Sequence, residues 1–253
     1  MAVRTKFAAA CVLTVLGSMT PSASYAANLV IVTNQGALPG VNELAAAFAR
    51  QSGNTVTARM AEGDDLKRKL DSGEIDLVTQ NPGPMGELVR SGKIVAATVT
   101  PFVLAELGVA VKAGARKPDI STVEAYKAAL LAAKSVGYSR GCSGTNAGAG
   151  IAQMGLTDAL KAKTIFTADG PVTDYIARGD IEIGIQQTNI MAGVAGVDFV
   201  GPVPAPLNKP CQSNVGVTTA SKQQDAARAF IAFMISPEAA PLLRKTHVEP
   251  FKP

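Results

Sequence analysis

The chain has no tryptophan, a single histidine and few aromatic residues of any kind, 5% in all. With His247 alone and no Cys-x-x-Cys, a zinc-type ligand set is ruled against, and no metal or other cofactor is expected. Charge of one sign is also scarce: 24 Lys and Arg stand against 20 Asp and Glu, with no basic cluster interleaved with aromatics. That argues against nucleic acid as a partner. After the first 26 residues no apolar stretch reaches membrane-spanning length, which argues against stable membrane insertion.

What is present begins with an export signature. Arg4 and Lys6 precede a short apolar run, Phe7 to Gly17, and Ser24-Tyr25-Ala26 places small residues at −3 and −1 of a cleavage site before Ala27. Residues 1–26 are therefore expected to be removed and the mature chain to reside in the periplasm. Losing Arg4 and Lys6 lowers the formal net charge from +4 to +2. Cys11 lies inside the apolar run rather than after it, unlike a lipoprotein cysteine. Cys142 and Cys211 survive, and an even count in an exported chain favours a disulfide over two separate buried thiols.

The remainder suits one large or two modest domains. Leu29 to Thr33 reads as a strand, Asn34-Gln35-Gly36 as a turn, and Val41, Leu44, Ala45 and Phe48 form one apolar face of a helix over 41–51. A second strand over 55–59, the turn at 61–65 and a helix with Leu66 and Leu70 inward lead to a third strand, Ile75 to Thr79. Phe102 to Val111 is nearly continuous apolar sequence, as in a strand buried on both faces or one passing between two sheets. Further on, helices are expected over 118–134, 171–178, 222–235 and 237–247, with strands over 135–139, 181–186 and 214–218. Strand and helix alternate, giving an α/β class with mostly parallel sheets. Four prolines between 202 and 210 mark an extended connector.

In such sheets ligands bind beyond the carboxyl ends of the strands, where helix amino-termini offer unpaired N–H groups. The turn Asn34, Gln35 and Gly36 and the turn containing Gly63 and Asp64 fall there, as does the segment Ser139 to Gly148 with Thr145 and Asn146. That segment is no phosphate-binding P-loop, no dinucleotide fingerprint and no Gly-x-Ser-x-Gly elbow, since Thr145 stands where the last glycine belongs. It is a donor-rich turn suited to an anionic ligand, against the plainer reading of a loop tied by Cys142. Arg140 is the foremost candidate to grip a carboxylate with two parallel hydrogen bonds; an ordinary surface arginine is the competing reading. Gln186, Gln187, Thr188 and Asn189 end another strand with four neutral polar side chains, expected to face a ligand, with a solvated cluster as the competing reading. Asp64 or Asp65 reads first as a helix cap. His247 reads as a charge in the last turn of the final helix rather than a catalytic group.

These landmarks resemble the molybdate-binding family of periplasmic solute-binding proteins, the type II class serving ABC importers. They are Val32 to Gly36 followed by helix 41–51, Ala61-Glu62-Gly63-Asp64-Asp65-Leu66, Ala149-Gly150-Ile151 opening a helix, and Gly184-Ile185-Gln186-Gln187. The resemblance implies two α/β domains: 27–105 plus 216–253, and 106–215, with crossing strands near 102–111 and 214–218. It also implies a ligand in the cleft between them and an ABC permease as partner; a monomer is expected. The family's oxyanion is held by serine hydroxyls at the positions of Gly36 and Gly63 and a tyrosine hydroxyl at that of Gln187. Their absence removes contacts of roughly 1 kcal/mol each and is expected to leave room at the glycines, which favours an organic di- or tricarboxylate over molybdate. The ligand set expected is thus Asn34, Gln35, Gly36, Gly63, Asp64, Ser139, Arg140, Thr145, Asn146, Ala149 and Gln187. A branch of the same fold isomerises aconitate; for that alternative Asp64 or Asp65 is the base and Arg140 the charge-stabilising group.

Overall fold

The structure, a computed structural model, describes residues 26–61, 63–168 and 170–252. Residues 1–25 of the expected export signal, and Glu62, lie outside the described residues.

Two mixed sheets form the body. The first contains β1 Asn28–Thr33, β2 Thr55–Met60, β3 Leu77–Gln80, β4 Thr100–Ala105, β10 Cys211–Val217 and β11 Glu249–Pro250, in the order β11-β4-β10-β3-β1-β2. The second contains β5 Leu107–Lys112, β6 Val136–Ser139, β7 Thr164–Thr167, β8 Ile183–Gln187 and β9 Val197–Pro202, in the order β7-β6-β8-β5-β9. β1, β2 and β3 run parallel, as do β6, β7 and β8, while β10, β4, β5 and β9 pair antiparallel with their neighbours.

Helices cover both faces of each sheet: α1 Leu38–Ser52, α2 Gly63–Ser72, α3 Pro82–Arg90, α4 Val123–Ala132, α5 Cys142–Gln153, α6 Thr157–Lys161, α7 Val172–Arg178, α8 Thr188–Met191, α9 Gln224–Met234 and α10 Ala239–Lys245. The strand period of two explains why. In β1, Leu29 and Ile31 join Leu44, Phe48 and Phe230 in one core, while Val32 joins Leu66, Leu70 and Met85 in another. In β5, Val109 and Val111 face Leu130 and Ile151, and Ala110 faces Val172 and Ile176. Each fully buried Leu, Ile or Phe in these layers contributes about 1.5–3 kcal/mol.

The apolar run 102–111 divides at Glu106: β4 ends at Ala105 in one sheet and β5 begins at Leu107 in the other. The return passage expected at 214–218 is placed differently. Residues 211–217 form β10, paired with β3 on one side and β4 on the other, and the chain passes between sheets in 203–210. Prolines there cannot supply ladder N–H groups, so that stretch connects while the sequence after it pairs. The two passages are fastened together, because the Leu107 N–H donates to Asn208 Oδ1 at 2.9 Å and Asn208 Nδ2 donates to the Leu107 carbonyl at 3.2 Å.

Local boundaries correct several expectations. α1 starts at Leu38, ahead of 41, because proline is favoured in a helix's first positions. α4 starts at Val123 rather than 118, capped by Thr122 Oγ1, which accepts from the Ala125 N–H at 3.0 Å. His247 lies beyond the end of α10, not in its last turn, with φ of 57°. β7 and β9 have no counterpart among the strands expected from the sequence.

Candidate functional site

The parallel strands of both sheets point their carboxyl ends into one cleft of about 1550 Å³. Asn34 to Gly36 follow β1, Met60 and Ala61 end β2, Gln80 and Asn81 end β3, Ser139 to Gly141 end β6, Thr167 and Ala168 end β7, and Gln186 and Gln187 end β8. Two helices begin at its wall, α2 at Gly63 and α5 at Cys142. Backbone N–H groups and dipole ends therefore gather there.

On the first sheet's side, Asn34 is buried and its Oδ1 accepts from the Ala37 N–H at 3.0 Å, so its oxygen shapes the start of α1. Gln35 lines the cleft. Gly36 meets the opposite sheet directly. Its carbonyl accepts from Asn189 Nδ2 at 2.7 Å, and a Cβ at Gly36 would overlap the Gln187 carboxamide, lying 2.7 Å from Nε2. The room expected at Gly36 is thus filled by Gln187. Gly63 lines the cleft with φ of 55°, and nothing stands where its Cβ would be. A serine there would be strained by the left-handed backbone.

Asp64 and Asp65 are first-turn acids of α2 rather than side-chain caps. Asp64 is exposed, pairs with Lys67 at 3.2 Å and is not among the cleft residues. Asp65 lines the cleft and pairs with Lys69 at 2.6 Å and Arg68 at 3.1 Å. The hydrogen bond from Lys69, with the nearby charges of Lys69 and Arg68, holds the Asp65 carboxyl below its ordinary value. A carboxylate so stabilised is a weak base.

On the second sheet's side, Ser139 Oγ and Ser143 Oγ lie 3.3 Å apart, and both residues line the cleft. Arg140 lines it too, with Cζ 4.7 Å from the centroid of the Phe166 ring and no carboxylate partner among the described residues. α5 opens at Gly141 without a side-chain cap, which leaves its first N–H groups free of such a partner. Thr145 reaches the cleft, its hydroxyl donating to the Gly141 carbonyl at 3.1 Å.

Two expected contacts fall elsewhere. Asn146 donates to the Lys209 carbonyl at 2.9 Å and sits beside the sulfurs of the Cys142–Cys211 disulfide, whose Cα atoms are 6.0 Å apart. It tethers α5 to the connector. Ala149 lies inside α5 and faces solvent, because the helix begins at Cys142 and not at 149. Of the polar group at the end of β8, Gln186 and Gln187 line the cleft. Gln186 Oε1 is engaged by the Val172 N–H at 2.9 Å, capping α7, and Thr188 and Asn189 lie behind the wall.

Sequence reasoning missed Thr167, Glu87 and Lys93 in the lining. Thr167 is the last residue of a four-residue strand with no usable pattern. Glu87 and Lys93 lie on and after α3, whose nine residues bury only Met85 and so carry little periodic signal. Lys93 is paired with Asp71 at 2.6 Å, whereas Glu87 has no ion-pair partner among the described residues.

Comparison with known proteins adds the following. A family described as bacterial extracellular solute-binding proteins matches residues 29–249. The chain is 28% identical over 229 residues to a protein named aconitate isomerase from a Pseudomonas species, covering 88% of this chain and 87% of that one. Among solved structures it is similar to the substrate-binding domain of a putative molybdenum ABC transporter from Clostridium difficile, with a TM-score of 0.72 and 18% identity over 90% of this chain and 100% of that one. It is also similar to the periplasmic molybdate-binding protein of Azotobacter vinelandii, with a TM-score of 0.69 and 17% identity over 89% and 99% of the two chains. At these identities the structural likenesses establish the fold alone.

Proposed function

The chain belongs to the bacterial extracellular solute-binding proteins and has a two-domain α/β fold, and from that premise we propose that it captures a small organic anion, a di- or tricarboxylate, in the cleft between its sheets. Delivery to an ABC permease in the periplasm is the role this reading assigns. The observation that carries it is Arg140, a cation without a carboxylate partner among the described residues, set in the cleft wall beside the hydroxyls of Ser139, Ser143 and Thr145. A guanidinium grips a planar carboxylate through two parallel hydrogen bonds, a geometry a lysine lacks. No side-chain hydroxyl stands at Gly36 or Gly63, where the resembled family holds its tetrahedral oxyanion. A thermal-shift screen of organic acids and oxyanions tests the reading. A true ligand at 100 times its Kd adds about 2.7 kcal/mol of stability.

A second reading, isomerisation of a tricarboxylic acid, is favoured by the relative named aconitate isomerase. It needs a base beside the bound acid. Asp64 stands outside the cleft and Asp65 is held ionised by Lys69, so Glu87, a lining carboxylate without an ion-pair partner among the described residues, is the better candidate for that role. Exchange of ligand protons with solvent deuterium separates the two readings: a pure binder catalyses none.

A further inference from the structure

We infer that Phe166 is a positioning residue that holds the Arg140 guanidinium at the cleft while leaving its hydrogen-bond donors free. The inference rests on the reading of Arg140 as the carboxylate grip. β6 and β7 run parallel with Tyr138 opposite Phe166, and Arg140 is the first residue beyond the end of β6 at Ser139. The guanidinium lies over the Phe166 ring, Cζ 4.7 Å from its centroid. Tyr138 braces that ring edge-on, with centroids 5.1 Å apart and planes at 83°.

Phe166 is 46% exposed on the edge strand β7, so its ring is held by Tyr138 on one side and open to the Arg140 guanidinium on the other. An aromatic face attracts a cation without accepting its in-plane N–H bonds. A carboxylate neighbour would hold the arginine equally well but would occupy the donors a ligand needs. The molecule contains that contrast: Arg178 lies over Tyr175 at 4.5 Å, yet its Nε donates to Asp180 at 3.0 Å.

The test combines calorimetry, with tricarballylate as probe, and side-chain NMR on Phe166→Leu, Phe166→Tyr, Arg140→Met and the Phe166→Leu/Arg140→Met pair. Phe166→Leu should weaken tricarballylate binding ~2- to 5-fold, and Phe166→Tyr, which keeps a ring, should restore it. In the Arg140→Met background Phe166→Leu should cost nothing further. Independently of any ligand, the Arg140 δ-protons, identified by their absence from Arg140→Met, should show an upfield ring-current shift that Phe166→Leu removes. Additive losses in the double variant, or an unshifted Arg140 signal, would overturn the inference. Wild-type protein that ignores tricarballylate but shows the shift would instead overturn the ligand reading and leave the Arg140–Phe166 contact standing.

Discussion

Asn189 Nδ2 donates to the carbonyl oxygen of Gly36 at 2.7 Å, a buried hydrogen bond between residues 153 apart in sequence. It joins α8, on the second sheet, to the turn after β1, on the first. The Gln187 carboxamide lies against Gly36 in the space a side chain would need. This backbone turn thus serves as a seat for the opposite domain, and a side chain at Gly36 would have to displace the Gln187 carboxamide.

Gly36→Ser should therefore disturb the seat. Because Gln187 can swing its carboxamide aside, the cost should be at most about 1 kcal/mol, the low end for overpacking, and any strain left should appear as a more open particle in small-angle scattering. Adding Gln187→Ala should reverse the effect. A Gly36→Ser protein with an unchanged scattering profile would contradict this account.

The Cys142–Cys211 bridge closes a separation of 69 residues, tying the start of α5 to the start of β10. Chain entropy gives such a loop roughly 4 kcal/mol as an upper figure. Reduction should lower the thermal midpoint, and non-reducing peptide mapping should recover the linked pair. Two freely alkylatable thiols would refute it.

Asp76 is buried and accepts from the Val30 N–H at 2.9 Å and from Ser221 Oγ at 2.6 Å. It binds β1 and the segment after β10 to the head of β3. Asp76→Ala strands both donors and should cost about 3 kcal/mol in denaturant unfolding. A loss under 1 kcal/mol on the same scale would mean water replaces the carboxylate there.

Asp65 should titrate below 3.8, because the Lys69 hydrogen bond favours its charged form. The sign follows: a depressed folded value stabilises α2 above the unfolded value, and that contribution is lost as pH falls through the folded one. The carboxyl is exposed, so the global effect is small and NMR titration is the proper readout. Lys69→Ala should move the midpoint up; an unmoved midpoint would assign the shift elsewhere.

Much of the first domain was legible because its signals are local. The periodicity of Val41, Leu44, Ala45 and Phe48, the glycine after α1, and Leu66 with Leu70 each announce an element within a few turns. The even pair of cysteines foretold the bridge. What escaped depends on distant partners. β7 has four residues and β9 holds Asp198 and Gly201 among its six, so pairing, not pattern, makes them strands, and Thr167 and the Phe166–Arg140 contact are not legible in the sequence. Asn146 and Ala149 fall outside the cleft because α5 starts at Cys142, several residues before the helix start that the sequence suggests at Ala149. The filling of Gly36 by Gln187 could not be read from either residue alone.

The most direct test is calorimetry of wild-type protein and Arg140→Ala with citrate, tricarballylate, trans-aconitate, molybdate and tungstate. The account predicts that wild type binds at least one of the tricarboxylates. It predicts that Arg140→Ala loses about 1.5–3 kcal/mol of that affinity, the scale of a charge-assisted hydrogen bond, and that neither metal oxyanion binds tightly. Sub-micromolar molybdate or tungstate affinity with no heat from any tricarboxylate, or full tricarboxylate affinity without the Arg140 guanidinium, would contradict it.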